Sequence, residues 1–310
     1  MNKQVWTLGD AVIDLLPIES RKYEACIGGA PVNVAVGLAL LNQKSAFIGR
    51  IGHDAFGQMV LREISGLGVD TSCVELDMQR HTSTVLVSND QHGERQFDFL
   101  VKSPADHYLT EMALPQFADD LLHICSLALV NEVCRHTTER AIAEVKRQGG
   151  LVSFDLNIRS QMWDDSTEMF DVVERFAERA DILKLSEEEW YWLTKTTDSA
   201  EARVRLSRYP AALKIVTCGE SGSMLFWQNG VYCYPGFSVH SIDTTGAGDA
   251  YMAGLLAFIA EQGMPNSAKQ LSKMAEQASG CGALATTQKG ALTALPNKQR
   301  LREFITTVIN

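Results

Sequence analysis

The sequence has no disulfide framework. Its seven cysteines (Cys26, Cys73, Cys125, Cys134, Cys218, Cys233 and Cys281) are scattered, with no Cys-x-x-Cys pair and no Cys/His cluster. Such a set reads as reduced, mostly buried thiols, and a structural zinc is not expected. There is no apolar run of membrane-spanning length, and Met1 to Trp6 has no charged-then-apolar signal pattern. The expectation is a cytoplasmic protein with no membrane partner. Positive charge is also scarce: 28 Lys and Arg against 38 Asp and Glu give a net charge of −10. That balance argues against a nucleic-acid partner. It does not exclude phosphate, because backbone N–H groups and a metal can hold phosphate locally. Internal repeats, low-complexity segments and flexible linkers are absent as well.

What is present is an ordinary globular composition, with 45% apolar and 21% charged residues in 310. From about residue 120 strands and helices alternate. Strands are predicted over 121–130, 151–156, 181–185 and 211–218, and helices over 135–148, 169–180, 186–194 and 267–285. A hairpin is predicted over 224–234, turning at Asn229-Gly230, and a strand over 237–242. This rhythm predicts an α/β fold with a doubly wound, mostly parallel central sheet and helices on both faces. Ligands in such sheets sit beyond the C-terminal ends of the strands. Two consecutive strands near 83–87 and 95–100, around a turn at 89–93, break the rhythm and predict a small separate β-sheet. We expect a single domain over 1–310 with a β-lid formed by about 11–28 and 81–105.

The chain is organised around Ile242-Asp243-Thr244-Thr245-Gly246-Ala247-Gly248-Asp249-Ala250, a glycine-rich turn opening an apolar helix. A helix N-terminus points backbone N–H groups at one spot where an anion can sit. Gly246 and Gly248 allow sharp bending and close approach. A carboxylate there has a natural task in taking a proton from a hydroxyl that attacks phosphorus. By spacing alone a capped helix is an equal reading. A second stretch, Gly28-Gly29-Ala30-Pro31-Val32-Asn33, leads into a helix that is apolar nearly all round. Taken alone, Asn33 reads more readily as a group satisfying the helix start than as one facing a polar ligand across the Gly-Gly turn. Asp155, Asn157 and Arg159 alternate, so an extended chain points them to one side.

These two stretches resemble the two signatures of the ribokinase-like (PfkB-type) carbohydrate kinases, and the resemblance covers essentially the whole chain. Within that family the chain is most similar to bacterial fructokinases. It is also similar to aminoimidazole riboside kinases through Gly93-Glu94-Arg95, Asn157-Ile158-Arg159 and the segment from Lys289 to Pro296. The resemblance implies transfer of the γ-phosphoryl of ATP to a sugar hydroxymethyl. Asp249 would be the base, and the N–H groups of Gly246, Ala247, Gly248 and Asp249 the anion hole. Asp10, Asp14, Gly28, Gly29, Asn33, Phe99, Asn131 and Arg159 would bind the sugar. Lys184, Ser186, Thr217, Gly219, Gly222, Gln277 and Ser279 would face the nucleotide.

The family's Asn-x-x-Glu motif, which organises magnesium through water, matches Ser186 and Glu189, so the Asn is replaced here. Asp243, Thr245, Ala285, Gln288 and Gly290 match a monovalent-cation site, with potassium the expected ion. A nucleoside-like riboside is the rival substrate, and a sugar-binding regulator without catalysis the reading from another class. The apolar face of the small sheet exceeds what one sugar can cover, so a homodimer through the lid is expected.

Overall fold

Four buried runs, Leu-Leu-His-Ile-Cys, Leu-Val-Ser-Phe-Asp, Ile-Leu-Lys-Leu-Ser and Leu-Lys-Ile-Val-Thr, form the middle of the molecule. Near-continuous burial is what a parallel strand covered on both faces demands. The structure is a computed structural model and describes residues 3–19, 21–89 and 95–309. Residues 90–94, which hold the expected turn and the Gly93-Glu94 pair, lie outside the described residues, as does the Phe97 side chain.

In chain order the elements are β1 Val5–Leu8, β2 Val12–Glu19, β3 Lys22–Gly28, α1 Ala30–Leu40, β4 Ser45–Gly52, α2 Ala55–Gly66, β5 Asp70–Asp77, β6 Ser83–Asn89 and β7 Arg95–Phe99. Then come β8 Leu121–Cys125, α3 Glu132–Arg147, β9 Leu151–Asp155, α4 Ser166–Ala177, β10 Ile182–Ser186, α5 Glu187–Thr194, α6 Ser199–Ser207 and β11 Leu213–Thr217. The chain closes with β12 Ser223–Trp227, β13 Gly230–Tyr234, α7 Ala247–Gln262, α8 Ala268–Ala285, α9 Ala291–Ala294 and α10 Lys298–Ile309.

Nine strands form one sheet in the order β13-β12-β11-β10-β9-β8-β1-β4-β5. From β5 to β11 all neighbours are parallel, and β12 and β13 add an antiparallel edge. Helices α1, α7 and α8 build one core cluster, and α3 to α6 build the other. The expected doubly wound sheet is therefore present. The chain order reverses at β1, between β8 and β4, where a crevice opens beyond the strand ends. Helices α1 and α7 approach closely because Gly37 faces Ala253; a Cβ on Gly37 would lie 2.6 Å from that methyl. The small sheet has the order β3-β2-β6-β7.

Three expectations change. The strand over 121–130 stops at Cys125, and Ser126–Leu129 form a single 3₁₀ turn. The hairpin turns at Gln228-Asn229, both at positive φ (45° and 63°), with Trp227 opposite Gly230. Two positive-φ residues are what a tight hairpin needs, and Gly230 is the first residue of the next strand. Residues 237–242 form no ladder. Gly236 lies against the backbone of Glu220, which turns the chain off the sheet edge, and the N–H groups of Ile242 and Asp243 then bond Thr286 O.

The passage from β5 to β6, which links the two sheets, is tied by two carboxylates. Asp77 accepts from the N–H groups of Gln79 (2.8 Å) and Arg80 (2.9 Å) and pairs with Arg50 at 2.9 Å. Burial alone would raise its pKa, but these donors and the Arg50 charge hold it down to about 2. Asp54 caps α2 through Gly57 N and also accepts from Thr82 N (2.9 Å) and Thr82 Oγ1 (2.8 Å). Burial raises its pKa too, yet the donors from Gly57 and Thr82 leave it lowered.

Candidate active site

The Gly246–Gly248 turn lies where the strand ends of the large sheet meet α7. Gly246 is left-handed (φ 76°, ψ 2°) and caps α7; a Cβ there would lie 3.0 Å from that of Ala291. Glycine is the residue that reaches this conformation without strain. The Ala247 N–H turns back to Thr244 O at 3.2 Å, so it is less available than the sequence implied. The N–H groups of Gly248 and Asp249 make no backbone bond among the described residues. They are first-turn donors with no helical acceptor. A Cβ on Gly248 would meet only the Lys184 ammonium, at 3.4 Å. Turn and cation therefore form one positively polarised surface, in which Lys184 comes from the middle of the sheet.

Asp249 stands at the edge of this surface. Its Oδ2 accepts from Asn33 Nδ2 at 2.7 Å, a bond from the first turn of α1 to the first turn of α7. Burial raises its pKa to about 6, against the opposing pull of Asn33, Lys184 and Arg159 and with a push from Asp10. Lys184 Nζ pairs with Asp155 Oδ2 at 2.7 Å, both groups buried. Burial favours a neutral Lys184, yet the attraction of Asp155, Glu189 and Asp249 outweighs it and its pKa is raised. Asp155 is pushed up by burial, with Lys184 opposing.

Three buried acceptor atoms around Asp249 have no hydrogen-bond partner among the described residues: Asp10 Oδ1, Asn33 Oδ1 and Asp155 Oδ1. Buried acceptors without donors are costly, so this is where a hydroxyl-bearing ligand would be welcome. Burial raises Asp10 to about 7, with Asp106 adding to the effect and Arg159 opposing it. Gly29, at φ 99°, lies against the Asp10 backbone; a Cβ would come within 2.6 Å of Asp10 O. A Cβ on Gly28 would come within 2.7 Å of Asp14 Oδ2. Phe99 ends β7 opposite Val85 on the small sheet and is partly exposed.

A cleft of about 900 Å³ runs from Asp249 along the strand ends, lined by Asp155, Asn157, Arg159, Lys184, Ser186, Glu189, Thr217, Asp243, Thr245, Gly246 and Gly248. Ser186 and Glu189 form a capping box: Ser186 Oγ accepts from Glu189 N at 3.2 Å, and Glu189 Oε2 accepts from Ser186 N at 2.8 Å. Asp243 Oδ1 accepts from Thr245 N and Oγ1, and its Oδ2 from Gly290 N at 3.1 Å. The structure thus brings Asp243, Thr245 and Gly290 together, with Ala285 ending α8 close by in sequence to Gln288.

Five expected residues are not in the wall of this cleft. Gln277 donates to Gly254 O at 2.8 Å, joining α8 to α7, and Ser279 is buried in α8. Asn131 caps α3 through Val133 N. Gly222, at φ 100°, is pressed against Tyr234 O, and with Gly219 it shapes the turn after β11. Sequence reasoning missed Asp106, which accepts from Ser83 Oγ at 2.8 Å and is raised by burial to about 6. No motif marks it. It also left Asp155 without a role, although a carboxylate ending a buried apolar run was a visible signal.

The donor sets can be tested against the ions the resemblance implies. Among the described residues no three His, Cys, Asp or Glu side chains gather as a metal cage. Glu189 at the cleft wall fits an ion held chiefly by phosphate and water. The Asp243 carboxylate, folded among hydroxyl and backbone groups, fits a cation bound largely by main-chain oxygens.

Residues 2–298 match the model of the pfkB family carbohydrate kinases. The chain is 45% identical over 307 residues to a fructokinase of Klebsiella pneumoniae, covering 98% of this chain and 100% of that one. It is 34% identical over 308 residues to an aminoimidazole riboside kinase of Salmonella typhimurium, covering 99% and 96%. A crystal structure of a Vibrio cholerae O395 fructokinase double mutant, bound to fructose, ADP and a potassium ion, superposes with a TM-score of 0.93 at 41% identity, covering 98% of each chain. Family match, full-length relatives and the placement of both signatures agree: this chain belongs to the pfkB family of carbohydrate kinases.

Proposed function

We propose that this chain is an ATP-dependent fructokinase, transferring the γ-phosphoryl of ATP to a hydroxymethyl of fructose. One observation carries the reading: Asp249, raised to about 6 and fixed by Asn33, stands beside unbonded N–H groups and the Lys184 ammonium. Such a carboxylate is ionised at neutral pH yet basic enough to take the hydroxyl proton as oxygen attacks phosphorus. The N–H groups of Gly246, Gly248 and Asp249, with Lys184, receive the charge that grows on the phosphoryl oxygens. Phosphoryl transfer needs little more from a protein than this alignment and charge stabilisation.

Asp10, Asp14, Asn33 and the bare backbone of Gly28 and Gly29 hold the sugar, with Asn131 and Arg159 at its edge. Phe99 covers it from a lid formed by about 11–28 and 81–105 in a single domain. Lys184, Ser186, Thr217, Gly219 and Gly222 follow the nucleotide phosphates, and the adenine lies towards Gln277 and Ser279. Magnesium, placed through water by Glu189, would neutralise phosphate charge. Asp243, Thr245, Ala285, Gln288 and Gly290 would hold potassium and steady the turn.

Identity of 45% to a fructokinase against 34% to a riboside kinase favours the free sugar. A coupled ADP-release assay over fructose, ribose, tagatose and aminoimidazole riboside tests it. Preference for the riboside would replace the substrate and leave the mechanism standing. Exposed Ile18, Tyr23 and Leu100 on and beside the small sheet support a homodimer through that surface. Light scattering that finds only a 34.1 kDa species would remove the dimer. Cysteines without disulfides support a cytoplasmic site of action, checked by cell fractionation. Among the described residues no helix is long and apolar enough to cross a membrane.

A further inference from the structure

Both carboxylate oxygens of Glu189 are already engaged by backbone donors. Oε2 accepts from Ser186 N at 2.8 Å within its own capping box. Oε1 accepts from Ile158 N at 2.7 Å, reaching across from α5 to the segment that leaves β9. That segment needs holding. Asn157 is at φ 40°, a left-handed conformation that a residue with a Cβ keeps only when its surroundings impose it. Its carbonyl accepts from Ser126 Oγ at 3.1 Å. So the two residues preceding Arg159 are pinned from two different elements, the turn after β8 and the first turn of α5.

Arg159 itself is pinned by nothing comparable. Among the described residues its guanidinium makes one hydrogen bond, to the carbonyl of its neighbour Ile158 at 3.1 Å. Its side chain lines the cleft and acts electrostatically on both Asp10 and Asp249. Where that guanidinium stands is therefore set by the backbone of 157–158. A charge-assisted bond to a carboxylate is the strongest single anchor available to a backbone N–H. The exchange of Asn for Ser at position 186 suits this. The short hydroxyl serves the helix cap and leaves the Glu189 carboxylate aligned with two N–H groups.

We propose that Glu189 is a positioning residue for the sugar side of the site: by holding the Ile158 N–H it sets where Arg159 stands over the acceptor sugar. This rests on the fructokinase reading and adds to Glu189 a task that needs no metal. The test is Glu189→Gln, which puts an amide NH₂ where one of two N–H groups now finds an acceptor. Sugar affinity is measured by calorimetry without nucleotide or magnesium, and KM for fructose and for ATP at saturating magnesium. The expected result is a metal-free sugar affinity lowered about tenfold, the scale of one charge-assisted bond, with KM for fructose raised in parallel; a change in KM for ATP reports the separate magnesium role. In the double variant Glu189→Gln/Arg159→Ala the sugar affinity should match that of Arg159→Ala alone, because Glu189 acts through Arg159.

Unchanged sugar affinity in Glu189→Gln, or effects that multiply in the double variant, would overturn the proposal. Should Glu189→Gln fail to fold, Ser126→Ala removes the other anchor. It should lower metal-free sugar affinity in the same Arg159-dependent way, and no change there would equally sink the idea. A wild-type chain that neither binds nor phosphorylates fructose would instead fail the function reading. The same metal-free comparison is then made with whichever sugar of the panel is turned over.

Discussion

Two groups of carboxylates, built from the same residue type, are treated in opposite ways. At the passage between the sheets, Asp54 and Asp77 are surrounded by N–H, hydroxyl and guanidinium donors, and both have lowered pKa values. In and around the cleft, Asp10, Asp106, Asp155 and Asp249 are buried and burial raises all four, Asp10 to about 7 and Asp106 and Asp249 to about 6. The first group is finished: its lone pairs are spent on the fold. The second is left short at two of its members, where among the described residues one oxygen of Asp10 and one of Asp155 have no hydrogen-bond partner. A buried acceptor left short beside a cleft is where a ligand's hydroxyl would be welcome. The difference separates structure from chemistry more sharply than burial does, since Asp77 is as deeply buried as Asp10.

The comparison can be broken at several points. The largest effect should come from Asp249→Asn, which keeps the shape and removes the base. We expect turnover to fall by about 10³-fold, within the range for a lost general base, while calorimetric sugar binding survives. Near-wild-type turnover would end the assignment.

Next is Asp77→Asn, which deprives half-buried Arg50 and two N–H groups of a full charge. We expect a loss of about 3 kcal/mol in urea unfolding at pH 7. The wild-type contribution has a definite sign: a depressed carboxylate stabilises above its unfolded pKa of 3.8 and loses that stability as pH falls towards about 2.

Asp10→Asn should do the reverse. A raised carboxyl favours the folded state fully below 3.8 and loses that advantage as pH rises through about 7. Replacing it should therefore add ~2 kcal/mol of stability at pH 8, less at pH 5, while weakening sugar binding. A destabilised Asp10→Asn at pH 8 would show that its donors have been undercounted.

A smaller effect is expected in the pH profile of kcat/KM. It should have an acid limb near 6, belonging to Asp249 and its coupled neighbours together, with activity about tenfold lower one unit below it. Smallest is Ser186→Ala, which removes one half of the capping box and should cost about 1 kcal/mol in thermal unfolding.

Much of this fold was legible in the chain. The alternation of strands and helices from about residue 120 announced a mostly parallel sheet, and the nearly all-round apolar α1 announced a buried helix. The failures have local causes. The 237–242 segment alternates like a strand, but the sheet edge it would have joined is left behind at Gly236. The hairpin misplacement by one residue reflects Gln228 accepting a positive φ that composition would assign to glycine. At the site, Asp249, Asn33 and Glu189 were marked by motifs. Asp106 was not, because its meaning comes from Ser83 and Asp10, which lie in different elements. Nor did spacing reveal that Glu189 reaches Ile158.

The bond between Asn33 and Asp249 closes a loop of 216 residues. Contacts so distant in sequence form late, after loop-closure entropy has been met by the body of the fold. As the chain emerges during synthesis, Asn33 must wait for α7 before its partner exists. The ammonium of Lys184 likewise has no turn to press against until Gly248 has been made. Intermediate lengths of this chain therefore contain the sheet strands but no aligned base. Every strand of the large sheet, the last of them ending at Tyr234, is synthesised before the base is.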